Sequence, residues 1–276
     1  MLSSINYLNK ENWVIDKSSI PYPFAKIDNF LTSEVYQLVK ENFPKLDRFN
    51  KIKDTSKSNV AVVLSFSDFD KDQDTFWYEF GKYFVRKEFF YDFCNLYIDD
   101  IERIYPHIYK KLKNQDYKIG IYNKDSFEKC DVLLDFGIGI NTSVKEKSSV
   151  RKAHLDNTRS LYTALCYLKD DDDITNSGHF MVYGQKPNRK IIMGERRSFK
   201  LCDLIEYKSI DYNSNRLATF INTDKSIHGV TPREITDKER KFFTFTAIFN
   251  EDLYTIEKFP KNKFLMKIKT MYKKIL

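Results

Sequence analysis

Only four cysteines occur in this chain, at 94, 130, 166 and 202. They are evenly spaced, but the residues around them do not match, so the spacing marks no repeat. Widely separated single cysteines suit free thiols in a reducing compartment, and the expected location is cytoplasmic. Long apolar runs are also missing. Nothing approaches the length that spans a bilayer, and the N-terminus lacks the charged-then-apolar pattern of a signal peptide. No transmembrane segment is expected. The chain carries no zinc motif and no basic stripe along its body, so nucleic acid is not an expected partner. Histidine is equally scarce, with 4 residues among 276.

What is present is a large apolar and aromatic complement. Hydrophobic residues make up 42% and aromatic residues 16% of the chain, which argues against disorder. A chain of 276 residues is long enough to bury a substantial core. We read it as one domain, residues 1–276. Residues 1–125 would be a helical and strand support, 126–250 the core and 251–276 a terminal helix.

Two short segments stand out, Ala153-His154-Leu155-Asp156-Asn157 and Ser226-Ile227-His228-Gly229-Val230. Two imidazoles and one carboxylate are the protein ligands of a non-haem Fe(II) centre with open coordination positions. In His-x-Asp the two ligands are two residues apart, so on a strand they project to one side. The second histidine, His228, must arrive from elsewhere, at the far end of the same cavity. The three residues alone are weak evidence. With 4 His and 39 acidic residues, a His-x-acid pair arises by chance about 0.6 times.

The surroundings add weight. Residues Leu161–Leu168, Ser177–Gly184, Asn215–Asn222 and Lys241–Phe249 are rich in β-branched, aromatic and apolar types and read as strands. Successive strands joined by loops of varied length predict a β-barrel or jelly roll with ligands near one open end. With the helices read from the N-terminal half, the fold class is α+β.

In order and spacing these segments resemble the Fe(II)/2-oxoglutarate-dependent dioxygenases, in particular their prolyl-hydroxylase-like branch. The resemblance covers about residues 130–250, with an echo at Ile20–Leu31, where that branch has a strand followed by a helix. It rests on His154–Asn157, Tyr167-Leu168, Ser177-Gly178, Asn215-Arg216-Leu217, His228-Gly229-Val230 and Arg240. It implies a double-stranded β-helix core and three iron ligands, His154, Asp156 and His228. It further implies that Arg240 pairs with the distal carboxylate of 2-oxoglutarate, a task suited to a planar guanidinium fork. Tyr167 matches a position whose phenol hydrogen-bonds the same carboxylate, and Thr244, on the same face as Arg240, is a further support. Arg233 is the rival anchor, but it follows Pro232 in a turn-like stretch.

The implied cofactor is Fe(II), with 2-oxoglutarate as cosubstrate and O2 as oxidant. The implied products are succinate, CO2 and an oxidised C–H bond. Halogenating members generally have a small residue in place of the carboxylate, so Asp156 favours hydroxylation. The substrate expected first is an amino acid or peptidyl residue, with other small molecules next. Two other readings stay open: a cupin-type metalloenzyme that needs no 2-oxoglutarate, and a non-catalytic jelly-roll binding module.

Several residues have plainer explanations. Tyr167 fits equally a core position with its hydroxyl at the rim. His179 opens an apolar strand, and a structural role is the simpler reading. His107 follows Pro106 in a helical region and reads as structural or exposed. Asp170 to Asp173 invite a second metal site, but four adjacent carboxylates after a strand usually form a solvated loop.

In the N-terminal half, Thr32 or Ser33 caps a helix that runs to Asn42 before Pro44. It presents Val35, Leu38, Val39 and Phe43 on one face. From Asp74 to about Lys113, aromatic and aliphatic residues recur at helical spacing, including Phe76, Phe80, Phe84, Ile101, Ile104, Ile108 and Leu112. This stripe reads as core packing against a sheet. Asn59–Phe66 reads as a strand that extends the barrel sheet. The polar, basic loop Thr142–Lys152 precedes the first ligand directly and reads as a lid.

The net charge of +7 is concentrated at the C-terminus, where residues 261–276 hold six lysines and no acid. Phe264, Leu265, Ile268, Met271, Tyr272 and Ile275 would form the apolar face of an amphipathic helix. Such a helix suits an anionic membrane surface, nucleic acid or another subunit. The plainer reading docks it on the body with its lysines in water.

Overall fold

The computed structural model describes residues 6–49, 58–71, 75–187 and 197–256. The fold is mixed α+β. Two strands, β1 (Val14–Ser18) and β2 (Phe24–Asp28), precede helix α1 (Ser33–Glu41), as the Ile20–Leu31 segment led us to expect. Strand β3 (Ala61–Ser65) is followed by five helices: α2 (Phe66–Lys71), α3 (Thr75–Phe84), α4 (Lys87–Asn95), α5 (Ile98–Ile104) and α6 (Pro106–Asn114). The remainder is almost entirely sheet. It comprises β4 (Ile119–Ile121), β5 (Val132–Asn141), β6 (Ser160–Tyr167), β7 (Phe180–Gln185), β8 (Leu204–Ile210), β9 (Arg216–Ile221), β10 (His228–Val230) and β11 (Arg240–Phe249).

The strands form two sheets. The larger runs β1-β2-β9-β6-β11-β5-β3, with β4 beside β5, and the smaller runs β10-β7-β8. Every pairing is antiparallel except β4 with β5. Chain neighbours rarely pair: β5, β6, β9 and β11 fall in one sheet, while the intervening β7, β8 and β10 fall in the other. The chain therefore shuttles between sheets. Residues distant in sequence come together at the sheet ends.

Side-chain alternation assigns each face of the large sheet its own job. On β11, Phe243, Phe245 and Ala247 point into a core shared with the helices. Phe84 of α3 is its hub, with ring centroids 5.4, 5.3 and 5.2 Å from Phe136, Phe243 and Phe245. The aromatic stripe is thus packing, as its spacing predicts. The opposite face meets the small sheet in a second core containing Phe24, Tyr167, Phe180, Val182, Ile210, Phe220 and Phe242.

Helix α1 begins as predicted: the Thr32 hydroxyl accepts from the Val35 amide at 3.4 Å, supplying a partner for a first-turn donor. Three expectations need correction. His154 and Asp156 lie in an irregular segment, not on a strand; only His154 makes ladder contacts, as isolated bridges to His228 and Ser198. Strict alternation from Tyr167 back along β6 would turn Leu161 to the site, but Leu161 belongs to the helix-side core. The β6–β11 register shifts between Thr246 and Ile248, which breaks strict alternation at that end of the strand. Finally, residues 251–256 are not helical. The predicted apolar face at 264–275 lies outside the described residues. No helix among the described residues is long and apolar enough to cross a membrane.

Candidate metal centre

His154 and His228 are brought together by their own backbones. The His154 amide donates to the His228 carbonyl at 2.8 Å, and the His228 amide donates to the His154 carbonyl at 3.0 Å. The imidazole centroids are 4.2 Å apart. His228 is therefore beside His154, not at the far end of a cavity as the sequence reading had it. Asp156 completes the group: its Oδ1 is 3.3 Å from His154 Nε2 and 3.6 Å from His228 Nε2. Among the described residues this is the one cluster of three or more His, Cys, Asp or Glu able to hold a metal, with all ligand atoms within 4.8 Å of one another.

Each member of the cluster is oriented from behind. His154 Nδ1 is 2.8 Å from the Lys152 carbonyl and His228 Nδ1 is 2.9 Å from the Ser226 carbonyl. A carbonyl can only accept, so each Nδ1 carries the proton and each Nε2 is left with its lone pair free for a metal. The Thr163 hydroxyl donates to Asp156 Oδ2 at 2.9 Å and in turn accepts from Asn222 Nδ2 at 3.0 Å. Thr163 thus holds one carboxylate oxygen and leaves Oδ1 facing the imidazoles. Arg197 also donates to the Asp156 backbone carbonyl, at 2.8 Å.

The electrostatics suit a cation. Burial acts to raise the Asp156 pKa, but His228 and the contacts from both imidazoles prevail and hold it well below the usual carboxylate range. Burial, with His228 adding to it, lowers the His154 pKa and keeps that ring neutral. An ionised carboxylate and a neutral imidazole are protonation states that bind metal.

The cluster opens into a cavity of about 260 Å³ lined by residues of both sheets, including Thr163, Leu165, Tyr167, Phe180, Val230, Arg240, Phe242 and Thr244. Arg240 is 2% exposed. Its Nε donates to the Gly178 carbonyl at 3.0 Å and its Nη1 to Asn141 Oδ1 at 3.2 Å, while the guanidinium lies 4.6 Å over the Tyr167 ring. Two buried polar atoms beside the cavity have no hydrogen-bond partner among the described residues, Arg240 Nη2 and the Tyr167 hydroxyl. Burial raises the Tyr167 pKa although Arg240 opposes it, so the phenol keeps a proton to donate.

Arg233 is a different kind of residue. It is buried, but its Nη1 donates to Asn59 Oδ1 at 3.1 Å and the Thr142 carbonyl at 2.7 Å, and its Nη2 to the Lys238 carbonyl at 2.7 Å. It does not line the cavity. Gly178, at φ +74°, sits against both arginines, and a Cβ there would come 2.8 Å from Arg233 Cγ. Glycine is required for the conformation and for the space.

His179, Asp170 to Asp173 and His107 do not line the cavity. His179 Nδ1 accepts from the Tyr212 amide at 3.2 Å and is absent from the cavity lining. Asp170 and Asp171 pair with Lys241 and Lys40, each at 2.8 Å, and Asp172 pairs with Lys238. Asp173 caps its own loop through Thr175. His107 is exposed, 3.9 Å from Glu251. The Thr142–Lys152 loop contributes Val150 and Arg151 to the cavity wall. Sequence reasoning missed Asn141 and Asn222 entirely. Thr163 was detectable, since it shares the inward parity of Tyr167.

No protein-family model matches the chain, and no curated protein matches it. Solved structures do. The chain resembles a prolyl 4-hydroxylase from Phytophthora capsici, with 13% identity, a TM-score of 0.43, and coverage of 90% of this chain and 67% of that one. A Pseudomonas putida prolyl-4-hydroxylase gives 10% identity and a TM-score of 0.39 over 83% of this chain and 93% of that one. The epimerase SnoN, in complex with Fe3+, alpha-ketoglutarate and nogalamycin RO, gives 7% identity and a TM-score of 0.38 over 82% and 78% of the two chains. These likenesses are distant. The chemistry of the site has to rest on its own geometry.

Proposed function

We propose that this chain is an Fe(II)- and 2-oxoglutarate-dependent dioxygenase that hydroxylates a C–H bond of an amino acid, a peptidyl residue or another soluble molecule. Its 126–250 segment would be a double-stranded β-helix, or jelly roll, within one domain of residues 1–276, with 1–125 as support. One observation carries the reading: the His-Asp-His cluster shares its cavity with a buried guanidinium and a buried phenol that have unused hydrogen-bonding capacity. A buried cation with a free donor is costly unless an anion meets it. A dicarboxylate that reaches from the metal to Arg240 fits both ends.

His154, Asp156 and His228 would hold Fe(II), and Arg240, Tyr167 and Thr244 the distal carboxylate of 2-oxoglutarate. Bound together with O2, such a group supplies oxidative decarboxylation to succinate and CO2, coupled to oxidation of a C–H bond. The protein's part is orientation and exclusion of water. Asp156 supplies the negative ligand, which a halogenating site would lack. Thr163 and the two backbone carbonyls fix the ligand directions. Leu165, Phe180, Val230 and Phe242 form apolar walls.

The test is succinate formation from 2-oxoglutarate by the Fe(II)-loaded protein, with and without candidate substrates. The expected result is Fe(II)-dependent succinate, including slow turnover without substrate, abolished in His154→Ala, Asp156→Ala and His228→Ala. Metal binding with no 2-oxoglutarate binding or succinate would instead indicate a metalloenzyme of another kind. Binding without turnover of any candidate would point to a non-catalytic module.

A further inference from the structure

Apart from the candidate metal cluster, two charged side chains among the described residues line the metal cavity, and both are arginines. Arg240 is buried at one end and is accounted for above. Arg151 is exposed, lies three residues before His154, and has no ion pair among the described residues. A second, larger cavity of about 920 Å³ adjoins it, and Val230 lines both. The segment from Ser149 to Ala153 forms the partition. Val150 and Arg151 face the metal cavity, whereas Ser149, Lys152 and Ala153 face the larger one.

Among the described residues, three lysines line this outer cavity, Lys147, Lys152 and Lys200, and no carboxylate does. Lys147 pairs with Glu234 at 2.5 Å; Lys152 and Lys200 have no ion pair among the described residues. This charge is local and not a reflection of a basic protein. Outside residues 261–276 the chain is close to neutral, since six of the seven net positive charges fall in that tail. The cavity floor is apolar, with Ala153, Tyr183 and Phe199. A like-signed rim over an apolar floor focuses its field on ligands of opposite sign. Cavities of several hundred Å³ take ligands far larger than one amino acid.

We propose that the substrate is an acidic peptide segment. Resting on the dioxygenase reading, this assigns the oxidised residue to the metal cavity, with a flanking carboxylate on Arg151. Further acidic side chains lie along Lys152 and Lys200. Arg151 is then a specificity-determining residue at the mouth.

The experiment uses the full chain loaded with Mn(II) and 2-oxoglutarate under nitrogen, and fluorescence anisotropy as the readout. Probes are a fluorescein-labelled oligoglutamate peptide, an uncharged Gly-Ser peptide of equal length and a single-stranded oligothymidine. We expect the oligoglutamate to bind best, with affinity falling as salt rises. The triple variant Arg151→Glu/Lys152→Glu/Lys200→Glu should weaken it by roughly tenfold. Equal binding of the uncharged peptide, or unchanged binding by the triple variant, would overturn the proposal; tighter binding of the oligothymidine would overturn it in favour of nucleic acid. Mn(II) and 2-oxoglutarate binding, followed separately by calorimetry, reports on the dioxygenase reading alone. Its loss with oligoglutamate binding retained would remove the catalytic reading, not the acidic groove.

Discussion

Arg240 and Arg233 both pack against Gly178, yet the described structure satisfies only one of them. Arg233 donates to three carbonyl oxygens and an amide side chain, whereas Arg240 has one nitrogen bonded to Gly178, one to Asn141 and a third left without a partner. Asn141 links them, its side chain serving Arg240 and its backbone carbonyl lying 3.5 Å from Arg233. Burial, with Arg240 adding to it, lowers the Arg233 pKa to about 10, leaving it charged at neutral pH.

That asymmetry separates the two arginines by experiment. Arg240→Ala should raise the KM for 2-oxoglutarate by roughly a hundredfold, the usual scale for truncating a buried charge that meets a ligand. Arg233→Ala should instead destabilise the fold by roughly 2–4 kcal/mol, because buried carbonyls lose their donor. Steady-state kinetics and urea denaturation on both variants provide the check. An unchanged KM in Arg240→Ala, with a raised KM in Arg233→Ala, would reverse the assignment.

Thr163 acts through Asp156. Thr163→Val keeps the shape and removes the hydroxyl that holds Oδ2, freeing the carboxylate to rotate. Metal affinity should fall by roughly 10–100-fold, the range found when a partner of a metal ligand is lost. Mn(II) titration followed by electron paramagnetic resonance measures this, and Thr163→Ser should restore most of it.

Asp135 faces Thr246 across the β5–β11 pairing, and its Oδ1 is buried with no partner among the described residues. Burial raises its pKa to about 7, opposed by the Phe136 amide and assisted by Asp68. A folded pKa above the unfolded value means the native state holds the proton more tightly. Stability from this group is therefore full below the ordinary value near 3.8 and declines as pH rises to about 7. Asp135→Asn should accordingly stabilise the protein by a few kcal/mol at pH above 7, with the gain shrinking towards zero near pH 4. Guanidinium denaturation of both proteins across that range decides it; a gain independent of pH would contradict the assignment.

Phe84 joins the helices to the sheet by ring contacts with Phe136, Phe243 and Phe245. Phe84→Ala should cost roughly 3–5 kcal/mol of stability through lost burial and the cavity left behind. Metal affinity per folded molecule should stay unchanged, because the site lies on the sheet's opposite face. Calorimetric unfolding and metal titration on one preparation test both halves.

The three members of the candidate metal cluster could be picked out in the sequence, because His-x-Asp is local and a second histidine closes an ordered series of strand-like segments. The strands themselves were legible where alternation is strong, as in Arg240–Phe249 and Ser160–Tyr167. The N-terminal helices were readable too, since a helix bond reaches only four residues and its apolar face repeats along the chain. Only tertiary structure decided that His154 and His228 exchange backbone hydrogen bonds, since a pairing between residues so far apart leaves no trace in either neighbourhood. The same holds for Asn141 beside Arg240 and for the Arg240 nitrogen left without a partner among the described residues. Each depends on which donors remain unsatisfied after the chain has crossed from sheet to sheet, and that sum is taken in space, not along the sequence.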